Sequence, residues 1–430
     1  MMNFFQIATV LITLSALFSY LNFQYIRMPA KIGVMAISLA ISLALLGGGL
    51  LGIPGARHQA AHILNGLDFN QVLLHGMLAF MLFAGAQSLN LNDLKHEKAP
   101  VVLLATVSVV VSTLVVGLAT YLLLQLIGIH ATLLNALLFG ALVSPTDPIA
   151  VIGIMKTARA PKSLETQIAG ESLFNDGIGV VVFLVILELA GGDVAVSPLH
   201  VVTLFFEEAA GGALFGLATG YVVYQMLKRI DNYEVEILLT LALAMGSYAL
   251  AEMLPISPPI AVVAAGLLIG NQGHAFAMSA ETREHLDNFW ELLDETLNAV
   301  LFVLIGLEVL VIPLRWSYIA AGLLAISITL LARWISVAGV VAIVRLSRPM
   351  VPGTISILTW GGLRGGISVA LALSLPSSPD RNIIIAMTYA TVIFSIIVQG
   401  LTVGKVTAYF VQKATAASAA VTARDARSLS

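Results

Sequence analysis

The chain has 430 residues, of which 59% are hydrophobic and only 10% charged, with a mean hydropathy of +0.96; soluble domains carry about 25% charged residues, so water is excluded as its main solvent. The absence of cysteine excludes a disulfide framework and a thiolate metal site. A formal net charge of −3, scattered over loops, gives no surface for a polyanion, and nucleic acid is not expected as a partner.

The amino terminus is apolar from Met1 to Phe23 and meets its first charge at Arg27, after the apolar block. A cleavable leader places positive charge before that block, so this segment is read as a first span retained in the protein. Apolar blocks centred near Ser42 and Met81 follow. From Ala99 to Thr146 there is no Asp, Glu, Lys or Arg; one crossing takes about 20 apolar residues, so the stretch predicts two spans, centred near Val111 and Ala141, turning at Gly128 to His130. Further centres fall near Gly179, Gly216, Leu243, Ala264, Leu301, Leu330, Gly366 and Phe394. The predicted fold is an all-α polytopic membrane protein of about thirteen helices embedded in a lipid bilayer. Beyond the last span only a short tail, 413–430, rich in Ala, Ser and Thr is expected, with no soluble regulatory domain.

Assigning loops alternately to the two sides places sixteen of the 21 Lys and Arg residues on one side. Three (Arg57, Arg315 and Arg381) fall on the other, and Arg333 and Arg364 fall inside spans. Cytoplasmic loops hold the excess of positive charge. The expected location is therefore the cell inner membrane, with the amino terminus outside and the carboxyl terminus cytoplasmic.

Three constellations carry chemistry. Ser144-Pro145-Thr146-Asp147-Pro148 lies in the middle of span five; a helix proline removes a donor and clashes with the carbonyl four residues back. Two of them predict an unwound segment whose free carbonyls, beside the Asp147 carboxylate, suit a sodium-sized cation. In span six, Glu171 and Asn175 stand four apart, as do Ser172 and Asp176, so these polar groups share a broad helix face. The residues that follow, Ile178 to Leu187, are wholly apolar. In span twelve, Trp360-Gly361-Gly362-Leu363-Arg364-Gly365-Gly366 concentrates glycine, each costing a helix roughly 1 kcal/mol relative to alanine, and predicts a second break. Arg364 cannot deprotonate, so a carboxylate partner is expected, and Glu171 is assigned to it as a structural ion pair. Arg333 has no evident role. The two interrupted spans are the middle members of spans four to six and eleven to thirteen, the pattern of an inverted-repeat transporter with a midplane site.

Together the Thr-Asp-Pro, Glu-Ser-Xaa-Xaa-Asn-Asp and Gly-Gly-Leu-Arg-Gly elements resemble those of the monovalent cation:proton antiporters, in the NhaP-type branch that includes the animal sodium/proton exchangers. The resemblance implies a homodimer in which a scaffold (1–98 and 193–314) carries a six-helix transport core (99–192 and 315–412) that moves in an elevator-like alternation. It implies that Asp176 accepts the cation or the proton, with Asp147, Ser172, Asn175 and Thr146 around it. The ligands of transported Na+ would be Asp176, Asp147, Ser172 and Thr146. The Asn175-Asp176 pair resembles that of the electroneutral branch, implying 1:1 exchange of sodium, or lithium, for protons without ATP or any cofactor, in the service of pH homeostasis. Where family members often carry an acid after Phe in span three, this chain has Phe83-Ala84-Gly85, which leaves Gln87 as a substitute and bears on ion preference. Potassium/proton antiport, a cation channel and an intramembrane hydrolase using Ser172 are the competing readings. The last is disfavoured because its local motif contains no base.

Overall fold

A computed structural model describes residues 4–50, 76–129, 131–158, 160–191, 198–274, 277–310, 315–376, 378 and 380–413. Arg57, His130, Arg159, Arg424, Arg427 and all but the first residue of the tail lie outside the described residues. Among the described residues the backbone is helical nearly throughout, and the only extended pairing is an isolated antiparallel bridge between Asp147 and Leu363.

In chain order the helices are α1 (Phe4–Leu21), α2 (Ala30–Leu50), α3 (Leu78–Ser88), α4 (Leu91–His96), α5 (Lys98–Ala105), α6 (Val107–Leu126), α7 (Leu133–Val143) and α8 (Ile149–Thr157). They continue as α9 (Lys162–Gly191), α10 (Pro198–Leu227), α11 (Tyr233–Glu252), α12 (Pro258–Leu268), α13 (Ala280–Glu308), α14 (Trp316–Arg345), α15 (Thr354–Gly361), α16 (Gly366–Ser374) and α17 (Arg381–Phe394). Short π-helical turns extend α1, α12 and α17, at Asn22–Ile26, Ile269–Gly273 and Ser395–Gln399.

Seven stretches of the described residues are long and apolar enough to cross a membrane: Phe5–Ile26, Ala30–Gly47, Lys98–Leu126, Lys162–Gly191, Tyr233–Glu252, Trp316–Arg345 and Arg381–Lys413. Each contains one of the centres read from the sequence. The centres at Met81, Ala141, Gly216, Ala264 and Leu301 fall within α3, α7, α10, α12 and α13, and Gly366 is the first residue of α16. Helix α13 is apolar only in its second half, where Val300 to Gly306 are buried; its first half carries acids toward an aqueous cavity.

Helix ends follow local chemistry. Thr132 caps α7 by accepting from the N–H of Asn135, Asn232 caps α11 through Val235, and Ser279 caps α13 through Thr282, each satisfying a donor that has no partner within its helix. The turn before α7 is made by Gly128 at φ +76°, which a side chain would strain. Helices α6, α7, α9, α14 and α17 pack on one another, as do α2, α3, α10, α11, α12 and α13 among themselves, and α9 touches α10 and α12 across the two sets.

Candidate functional site

Both glycine- and proline-rich segments unwind as their sequences predict. Helix α7 stops at Val143 and α8 starts at Ile149; α15 stops at Gly361 and α16 starts at Gly366. The two extended segments cross, and the N–H of Asp147 donates to the Leu363 carbonyl at 2.8 Å. Gly365 is required here, because a Cβ would fall 2.5 Å from Asp147 Oδ2. Gly179 of α9 does the same for the proline, since its Cβ would lie 2.2 Å from Pro145 Cγ.

Unwinding frees carbonyls that need donors. Pro148 has no N–H for the carbonyl of Ser144, four residues earlier, and the guanidinium of Arg364 takes that place. Its Nη1 donates to the Ser144 and Pro145 carbonyls at 2.6 and 2.9 Å. The equivalent end of α15 is served by Arg333 of α14, whose Nε and Nη2 donate to the Leu358 carbonyl at 3.3 and 3.1 Å. A positive charge thus stands at the carboxyl end of each half-helix, where the macrodipole is negative.

The ion pair assigned to Glu171 and Arg364 is corrected by this geometry. Glu171 of α9 pairs instead with Arg333, whose Nη2 donates to Oε2 at 2.9 Å while Nη1 binds Oε1, a two-pronged arrangement buried on both sides. Arg364 sits on the extended segment with two bare carbonyls in reach, and so does not need a carboxylate for company. The residue with no evident role in the sequence is the structural partner. Its depth marked Arg333 as needing a partner as much as Arg364 does, without saying which of the two takes Glu171.

Thr146, Ser172 and Asn175 come together and are all buried. The Thr146 N–H, released by the unwinding, donates to Asn175 Oδ1 at 3.2 Å, and Asn175 Nδ2 donates to Thr146 Oγ1 at 2.9 Å. The Thr146 and Ser172 hydroxyls share a hydrogen bond of 3.0 Å. Both ends of the Asn175 amide are therefore engaged on Thr146, so this side chain holds the unwound segment against α9. It acts as a clamp next in sequence to Asp176. Among the described residues the hydroxyl of Ser172 has that of Thr146 as its hydrogen-bond partner.

Asp147 and Asp176 are both half-buried and line one cavity of about 890 Å³. The exposed residues Lys156, Lys162 and Arg283 line it too, as do Lys31, Asp287, Glu291 and Asp294. Lys31 and Asp294 face each other at 3.9 Å. Ala84 and Gln87 also belong to the lining; Gln87 Nε2 donates to Asp287 Oδ1 at 3.2 Å, away from the two core aspartates. Two carboxylates in the wall of the cavity, with hydroxyls and unwound backbone beside them, offer hard oxygens of the kind that small cations prefer.

Crossed, interrupted helices with acids at the crossing define a secondary transporter. Residues 11–408 match the family described as "Sodium/hydrogen exchanger, transmembrane", and the chain belongs to that family. Among its relatives, the Na(+)/H(+) antiporter NhaP of Pseudomonas aeruginosa is 48% identical over 403 residues, covering 93% of this chain and 95% of that one. The Na(+)/H(+) antiporter NhaH of Halobacillus aidingensis is 37% identical over 390 residues, covering 88% and 91%. The solved structure of the sodium proton antiporter MjNhaP1 from Methanocaldococcus jannaschii has the same fold, with a TM-score of 0.72, 21% identity and coverage of 93% of this chain and 96% of that one.

Proposed function

We propose that this chain exchanges sodium for protons, one for one, by letting the two compete for the Asp176 carboxylate. The observation that carries the mechanism is the position of Asp176: it lies in the cavity wall, beside the Thr146–Ser172–Asn175 cluster and close enough to Asp147 for their charges to interact. A carboxylate there holds a proton or a sodium ion but not both, since a bound cation favours the anion. Asp147 and the Ser172 and Thr146 oxygens complete the cation's surroundings.

In this reading the chain crosses the inner membrane thirteen times and works as a homodimer. Helices α5 to α9 and α14 to α17 form the moving core, and the other helices form the scaffold. Lys31, Lys156, Lys162 and Arg283 come from three loops that the charge alternation puts on the cytoplasmic side, and all four residues line the cavity. That agreement supports both the alternation and a state open to the cytoplasm. Sodium is favoured over potassium by the curated relatives named above.

Asp176→Asn tests the assignment. The amide keeps size and hydrogen bonding and removes both the proton site and the charge, so the protein should fold while exchange is lost for every alkali cation at every pH. Measurable coupled sodium/proton flux by that variant in liposomes would overturn the role of Asp176.

A further inference from the structure

A second cluster on the cavity wall takes no part in the exchange mechanism. Gln87 near the end of α3, His274 just after the turn Ile269–Gly273, and Asp287 on α13 meet there, and all three line the cavity. Gln87 Nε2 stands 3.5 Å from His274 Nε2 and 3.2 Å from Asp287 Oδ1, and His274 Nε2 stands 3.4 Å from the same oxygen. Gly270 makes the meeting possible: a Cβ there would lie 2.1 Å from the Gln87 carbonyl oxygen, so only glycine lets this turn rest on α3.

Hydrogen bonds alone leave this triangle unsatisfied. An ionised carboxylate only accepts: if His274 Nε2 carries a hydrogen, it and Gln87 both donate to Asp287 and donor faces donor along the third edge, and if it does not, its lone pair faces the carboxylate, so one edge is unsatisfied in either tautomer. All three edges exceed the roughly 2.9–3.0 Å typical of N–H···O bonds. The other end of the amide is equally unsettled: Gln87 Oε1 has no partner, on a side chain only 4% exposed. Amide oxygen and nitrogen are interchangeable by a half-turn of the group, which brings the orphaned acceptor into the triangle and makes all three vertices acceptors.

We propose that Gln87, His274 and Asp287 form a binding site for a divalent transition-metal cation of the zinc class, with three protein ligands and a fourth position open to the cavity. Ligand atoms 2.0–2.1 Å from a tetrahedral centre lie about 3.3–3.4 Å apart, and the observed edges of 3.2, 3.4 and 3.5 Å fit that spacing without rearrangement of the helices. The imidazole sets the preference, because nitrogen ligands suit zinc, nickel and copper. The site is thereby distinct from the oxygen-only surroundings of Asp147 and Asp176. His274 lies outside the membrane-spanning segments, and burial pushes its imidazole down, against the upward pull of Asp287 and with the help of Arg283; the neutral ring is the metal-binding form. The Asp287 carboxylate, half exposed, leaves room for water as the fourth ligand. Its ligands come from α3, the turn after α12, and α13, so a bound ion would leave α9 and the broken helices free to move. Its charge would stand on the wall that sodium passes, and would weaken sodium binding from this side alone.

The test is titration of the purified protein with Co2+, followed by displacement with Zn2+. One Co2+ per chain is expected, with the intense visible absorption of a tetrahedral site. Loss of an outer-shell partner alone typically costs a metal site about 10–100-fold in affinity, so His274→Ala and Asp287→Asn should each cost at least that. His285→Ala, whose ring stacks on Tyr233, should leave binding unchanged. Zn2+ on the cavity side should raise the KM for sodium in the unaltered protein and not in Asp287→Asn. Absence of a stoichiometric site, or equal Co2+ affinity in the unaltered protein, His274→Ala and Asp287→Asn with all three shown to be folded, would overturn the proposal.

Discussion

Replacing Arg333 by alanine separates the two guanidiniums of the broken helices by what each holds. Arg333 and Glu171 have side chains only 4% and 1% exposed. Removing one member of a buried ion pair costs about 3–5 kcal/mol, and the Leu358 carbonyl loses both of its Arg333 donors, adding about 1–3 kcal/mol. Arg333→Ala should therefore destabilise by roughly 4–8 kcal/mol, a large share of the 5–15 kcal/mol that typically holds a protein together. Glu171→Leu with Arg333→Met should recover much of the loss, because apolar replacement of a whole buried pair is often neutral. Tryptophan fluorescence during thermal unfolding in detergent would rank the unaltered protein, the double variant and Arg333→Ala in descending order. The coupling between Glu171 and Arg333 should exceed that between Glu171 and Arg364. If the larger coupling belonged to Arg364, or if Arg333→Ala melted with the unaltered protein, the pairing described here would be wrong.

Gly365→Ala places a methyl group against the Asp147 side chain, which must shift, and should raise the KM for sodium several-fold; an unchanged KM would show that the close approach does not position the carboxylate. Exchange should be electroneutral, since Asn175 is engaged on Thr146 and offers no second titratable group. In liposomes its reversal point should follow the sodium and proton ratios alone, and a reversal point that moved with a clamped potential would refute one-for-one exchange. Exchange should fall as the pH is lowered, because protons then displace sodium at Asp176, and raising sodium should restore it. Acid inhibition indifferent to sodium concentration would point to a proton site elsewhere.

The helical class and both breaks were legible in the sequence because proline and glycine act locally: each removes a specific donor or a Cβ, whatever lies around it. Four-residue spacing put Glu171 with Asn175 and Ser172 with Asp176 on one broad face of α9, whereas the nearness of Thr146 to that face was only implied by the family resemblance. The partner of Glu171 was not legible. Choosing between two intramembrane arginines depends on which carbonyls unwinding leaves bare, and that is a property of the crossing, not of either segment alone. The Gln87–His274–Asp287 cluster was hidden for a related reason. Gln87 is far in the chain from His274 and Asp287, and Gly270 lets the turn that leads to His274 rest on α3.

The guanidiniums that cap the half-helices also set the electrical balance of what would move. Around the crossing, the carboxylates of Glu171, Asp147 and Asp176 stand against the fixed charges of Arg333 and Arg364, so the ionised cluster carries one negative charge in excess. A single proton cancels it, and so does a single sodium ion, whereas an empty cluster, or one loaded with both, would have to drag a net charge through hydrocarbon. In the proposed exchange the two arginines would thus do more than finish helices: with two of the three acids cancelled in advance, a single monovalent passenger would be enough to neutralise what moves.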